Sequence, residues 1–164
     1  MPYTRAMRAF LLAACLAVPP VLADSTYTNG LAWQEDATTL GYQIDAFDKC
    51  RGRLAETPRF SGCIKLWEDA YRRWNRMDAY AAARVASDSA NFEALNLSER
   101  SKALGRRLDE AAEFLQPEVR KLGRAKVSRM IASEKLLAKY QQPLDGVLRA
   151  KPGAPVDPRA LWRD

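Results

Sequence analysis

Residues 60–87 read FSGCIKLWEDAYRRWNRMDAYAAARVAS, and the apolar stripe of this stretch falls at Cys63, Trp67, Ala70, Tyr71, Trp74, Met77, Ala81 and Val85. Steps of three and four residues bring these positions to one face of a helix with 3.6 residues per turn. The spacing predicts an amphipathic helix over about 60–87, with Trp67, Tyr71 and Trp74 turned inward as core rather than outward to stack on a flat ligand or sugar. Asp78 falls in the same stripe. A carboxylate there needs a partner, and Arg84 or an arginine from another helix would supply it.

The flanking sequence is of the same kind. Between residues 59 and 142 only Ile64, Val85, Val119, Val127 and Ile131 are β-branched, and good helix formers dominate the rest. That composition argues against a sheet. Upstream, Trp33, Ala37, Leu40, Ile44, Phe47 and Leu54 share a face and predict a helix over about 31–55. Thr57-Pro58 suits a cap followed by proline at the first helical position. Downstream, Ser87 to Asn91 is a connector, and Phe92, Leu95 and Leu97 suggest a packed turn. Ser98-Glu99 then opens a third helix with the stripe Leu104, Leu108, Ala111 and Leu115. Pro117 breaks or kinks it. A last helix to about Tyr140 carries Val119, Leu122, Val127, Met130 and Leu137 inward.

These elements predict an all-α domain over 24–142, an antiparallel bundle of three helices, or four if Pro117 separates the last two. From Pro143 to Asp164 four prolines in 22 residues read as a weakly ordered tail, from which Leu161-Trp162 could dock back onto the body.

The first 23 residues read as an address. Arg5 and Arg8 precede the apolar run Ala9 to Val18, Pro19 and Pro20 interrupt it, and Val21-Leu22-Ala23 is an A-x-A-like site. Together they describe a secretory signal peptide. The run is short of the ~20 residues of a membrane-spanning helix. Leu12-Ala13-Ala14-Cys15 resembles the lipobox of bacterial lipoproteins, so lipidation at Cys15 is the alternative to cleavage after Ala23. On either reading the chain leaves the cytoplasm, with the bacterial periplasm as the expected destination. Cleavage after Ala23 leaves two cysteines, Cys50 and Cys63, which an oxidising compartment would close into a disulfide. Cys50 ends the first helix and Cys63 begins the second, as an αα-hairpin requires.

The chain contains no histidine. Serine–histidine and cysteine–histidine hydrolases, ordinary zinc enzymes and CxxCH cytochromes are therefore excluded. Gly-rich phosphate loops are absent too, and no motif calls for a metal or cofactor. Asp109, Glu110 and Glu113 are the closest group of acids, and their spacing is that of a solubilising helix face.

After the leader 24 Lys and Arg stand against 20 Asp and Glu. Lys121, Arg124, Lys135 and Lys139 project to a narrow arc of the last helix, with Arg120, Lys126 and Arg129 flanking it. Lys65, Arg72, Arg73 and Arg76 lie on the outer face of the second helix, diluted by Glu68 and Asp69. Such faces either dock an anionic surface or are simply solvated. No aromatic residues interleave with the arc, so single-stranded nucleic acid is not its expected partner. The expectation is a small exported binding protein with a protein or anionic envelope partner. The alternative is a carboxylate-based enzyme acting on cell-wall polymer, which needs two convergent acids in a cleft.

Overall fold

Three asparagine and proline signals set where the helices begin. Asn29 accepts the Ala32 N–H (3.0 Å) and starts α1 (Gly30–Asp48), and Asn91 accepts the Ala94 N–H (3.0 Å) and starts α3 (Phe92–Ala112). Pro58 lies in the first turn of α2 (Thr57–Ser87), where the N–H it lacks would have had no intrahelical partner. Four shorter helices follow: α4 (Leu115–Leu122), α5 (Arg124–Ser133), α6 (Lys135–Ala138) and α7 (Gln141–Arg149). This computed structural model describes Tyr27 and residues 29–151, and among them all regular structure is helical. The leader, Cys15 and Leu161-Trp162 lie outside the described residues.

α1 and α2 pack with opposite chain directions. Trp33 donates its indole N–H to the Met77 carbonyl (3.0 Å), Phe47 stacks on Trp67 with ring centroids 5.0 Å apart, and Cys50 is bonded to Cys63. α3 covers both. Trp74 donates to the Ser101 carbonyl (2.9 Å), Arg100 lies over the Trp33 ring, and Phe114, just past the end of α3, meets Phe47. Each of these buried indoles removes a large apolar surface from water, and Trp33 and Trp74 also satisfy their polar edge, whereas the Trp67 N–H is buried without a hydrogen-bond partner among the described residues.

The inward stripes of the first two helices are largely as expected: Trp33, Ala37, Leu40, Ile44 and Phe47 on α1, and Cys63, Trp67, Ala70, Tyr71, Trp74, Met77 and Ala81 on α2, are buried, whereas Val85 is only half-buried. Their boundaries differ. α1 stops at Asp48, and Leu54 reaches the core from the loop 49–56, which turns at Gly52 with φ 75°. Glu56, not Thr57, is the N-cap residue of α2. α3 begins two turns before Ser98, so Phe92 to Leu97 are helix rather than a packed turn.

The expected last helix, to about Tyr140, is replaced by three short ones, α4, α5 and α6. Gly123 takes φ 78°, a conformation glycine adopts without strain, and separates α4 from α5. Glu134 is extended (φ −132°, ψ 107°) and separates α5 from α6. Nor does helical structure end at 142. Pro143 occupies the first turn of α7, which continues to Arg149 and buries Leu144 and Val147.

Candidate functional site

The disulfide Cys50–Cys63 (Cα–Cα 6.0 Å) fastens the loop 49–56 to the start of α2. In that loop the turn at Gly52 presents its N–H to Glu118 of α4, whose Oε1 accepts it at 2.6 Å. The carboxylate thus ties the loop to α4. Between them lies a pocket of about 330 Å³ lined by Gly52, Leu54, Ala55, Glu118, Lys121, Leu122 and Lys126. Its lining is mostly apolar, supplied by Leu54, Ala55, Leu122 and the lysine stems. Among the described residues neither Lys121 nor Lys126 enters a salt bridge. The pocket therefore joins an apolar floor to two uncommitted cations.

Lys121, Arg124, Lys135 and Lys139 do not share one continuous helix: they fall in α4, in α5, in α6 and at the end of α6. The breaks at Gly123 and Glu134 reset the helical phase, so a 100° step counted through them no longer places these side chains together. Lys121 is exposed at the pocket. Arg124 approaches Asp145 of α7 (3.5 Å), and Lys135 is exposed in the first turn of α6. Lys139 turns back onto α2, where its ammonium lies 2.6 Å from Glu68. On the outer face of α2 most of the cations are also committed: Lys65 to Asp69 (3.0 Å), Arg72 to Glu68 (2.8 Å) and Arg73 to Asp36.

Glu68 is the residue sequence reasoning missed. It is 7% exposed and accepts from Lys139, from the Tyr140 hydroxyl and from Arg72. Burial alone would push its carboxyl up, but the Lys139 ammonium, the Tyr140 hydroxyl and Arg72 outweigh it and hold the group below the usual carboxylate range. The same arrangement, burial first and then the bond to Glu68, pushes the Tyr140 phenol well above its ordinary value. Only the distance of 71 residues between Glu68 and Lys139 hid the cluster, since no local spacing signals it. A second tie joins α1 to α2. Asp36 accepts from Tyr27 (2.5 Å) and Arg73, and Arg73 also reaches Gln43 (3.0 Å).

The acids singled out in the sequence have different surroundings. Asp78 accepts from the Ser101 hydroxyl (2.8 Å), so a neutral donor from α3 takes the place expected for an arginine. Asp109 is half-buried with one carboxylate oxygen shielded from solvent, whereas Glu110 and Glu113 are exposed. Glu110 borders an open groove with Asp45, Asp48, Lys49, Arg51 and Arg107. There Arg107 pairs with Asp45 (3.2 Å) and Arg51 with Asp48 (3.0 Å). Among the described residues no three Cys, Asp or Glu side chains gather to hold a metal ion, and no helix is long and apolar enough to cross a membrane.

No protein-family model matches the sequence, and comparison with curated proteins gives no match. In fold the chain is similar to part of oligoendopeptidase-F from Enterococcus faecium, with a TM-score of 0.66 at 20% identity over 73% of this chain. The match spans only 24% of that chain, and at this identity the likeness is one of fold alone.

Proposed function

We propose that this chain is a small exported interaction protein of the bacterial periplasm, a disulfide-stapled antiparallel helical bundle that docks an anionic partner without catalysing a reaction. The partner is an acidic protein or an anionic envelope component. The observation that carries the reading is the pocket beside the disulfide-held loop, where Lys121 and Lys126 stand over Leu54, Ala55 and Leu122. Uncommitted cations on an apolar floor attract an anion and then gain from covering apolar surface. Export is supported by Arg5, Arg8, the apolar run and Val21-Leu22-Ala23, and by a cysteine pair of the kind that closes in an oxidising compartment. Lipidation at Cys15 remains the alternative form of the same export. The opposed directions of α1 and α2, with α3 laid across both, support the bundle.

The test is capture from an envelope extract by the mature protein, repeated over a salt series. Binding falls steeply with salt, because exposed charges are screened over ~8 Å at physiological ionic strength. The double variant Lys121→Glu with Lys126→Glu loses the captured partner while its melting temperature stays close to that of the parent, since both side chains lie outside the core. Equal capture by parent and variant, or capture indifferent to salt, would overturn the reading.

A further inference from the structure

We propose that the pocket between the loop 49–56 and α4 is a binding site for a free single-chain amphiphile with an anionic head, of which a fatty carboxylate is the simplest member. The inference rests on reading Lys121 and Lys126 as an anion dock, and it specifies what that dock takes. A simple inorganic anion would leave the floor of Leu54, Ala55 and Leu122 unused, and a neutral hydrocarbon would leave both ammonium groups unused. An acyl chain with a charged head uses both. Size points the same way. At about 330 Å³ the pocket is near the lower end for small-molecule sites, enough for one chain rather than a two-chain lipid.

Shape favours a free monomer over a bilayer. Interfacial binding uses apolar side chains that protrude into the headgroup boundary. Among the described residues the large exposed apolar side chains, Leu31, Tyr42, Phe92, Leu95 and Leu136, all belong to α1, α3 and α6, and none lines this pocket. The apolar surface here is recessed, as suits a chain drawn in tail first. Glu118 is the one acid in the lining. Its Oε1 is occupied by the Gly52 N–H, so it holds the loop in place and its charge directs an anionic head toward the lysines.

The experiment is calorimetric titration of the mature protein with hexanoate, octanoate and decanoate below their micellar concentrations, with 1-octanol as the neutral counterpart. Affinity rises by about fourfold per methylene until the pocket is full and then levels off. Octanol binds about fivefold more weakly than octanoate, as expected for the loss of two exposed charge contacts. Ala55→Trp, which fills the mouth from an exposed loop position, weakens decanoate binding by about tenfold or more, with an unchanged melting curve. Leu122→Phe, which reduces the floor space, shortens the chain length at which affinity levels off. Equal binding of octanol and octanoate would overturn the proposal, as would parental decanoate binding in both filling variants. The two readings fail separately. If decanoate does not bind but extract capture stays salt-sensitive in Ala55→Trp, the amphiphile site is refuted and the anion dock stands. If decanoate binds as described but capture ignores salt, the functional reading fails instead.

Discussion

Residues 30–112 fold as three helices of 19, 31 and 21 residues, whereas residues 115–149 fold as four of 8, 10, 4 and 9. The long helices meet through aromatic rings, and Trp33 and Trp74 each lock across a helix interface by donating to a carbonyl of the neighbour. The short helices bury Leu, Val and Met, and they are tied down by polar reach: Lys139 and Tyr140 to Glu68, and Arg120 to the Val147 carbonyl (3.2 Å). Isolated helices shorter than about 12–15 residues are marginal in water. The second region therefore depends on docking to the first, while the first closes largely on itself. A helical chain can be held by interlocked rings or by a buried ion cluster, and this one uses each where its helix lengths require it.

Breaking the aromatic side has the largest effect. Trp33→Ala removes a fully buried ring and its hydrogen bond to Met77, and it is expected to destabilise the protein by about 4 kcal/mol, visible as loss of helicity throughout in a denaturant titration. Replacing both cysteines by serine is the next largest. Freeing a loop closed over 13 residues costs about 3 kcal/mol, and proteolysis in the 49–56 loop should be accelerated along with it.

The polar side is tested by Glu68→Gln. The change keeps the shape but weakens the bonds to Lys139 and Tyr140, at an expected cost of about 2 kcal/mol. Hydrogen exchange should rise first in α6 and α7, not in α1. The pH dependence has a definite sign. Because the folded protein holds this carboxyl below its ordinary range, its stabilisation is complete above that range and is lost as pH falls through the lowered value. Melting temperature should therefore fall more steeply on acidification in the parent than in Glu68→Gln. A parallel fall in both would show that the cluster contributes nothing to the contrast between the regions.

The smallest effect sharpens the aromatic side. A Cβ at Gly105 would stand 2.8 Å from the Trp74 indole, which is buried and anchored to the Ser101 carbonyl and so cannot yield. Gly105→Ala should destabilise by about 1–2 kcal/mol, although alanine in a helix interior ordinarily stabilises relative to glycine. A stabilised variant would mean that the ring moves and that the interface is less tightly interlocked than described.

The first region was largely legible from local spacing because its helices are long enough for the three- and four-residue steps to repeat. Trp67, Tyr71 and Trp74 are core, and the cysteines close where a hairpin places them. The second region defeated the same method. Its apolar steps continue through Gly123, but a helical phase holds only while the backbone is helical, and at φ 78° it is not. Pro143 reads as a terminator, yet it sits in the first turn of α7, as Pro117 does in α4 and Pro58 in α2. In all three the ring occupies a position whose N–H has no helical acceptor. The candidate pocket is half visible in the sequence: Lys121 and Lys126 stand out as basic, but the partner wall formed by Gly52, Leu54 and Ala55 is remote in sequence and comes close only through the fold.

The separation of Glu68 from Lys139 and Tyr140 also sets an order of events. A chain delivered N-terminus first presents α1, α2 and α3 in full before residues 139 and 140 emerge. Without them Glu68 keeps its ion pair with Arg72 on α2 but lacks the Lys139 ammonium and the Tyr140 hydroxyl that help hold its carboxyl below the usual range. Docking of residues 139 and 140 thus completes the site of a buried anion, and linkage makes that docking less favourable as pH falls. The attachment of the last third of the chain should therefore be the part of the fold that weakens first as the surroundings acidify.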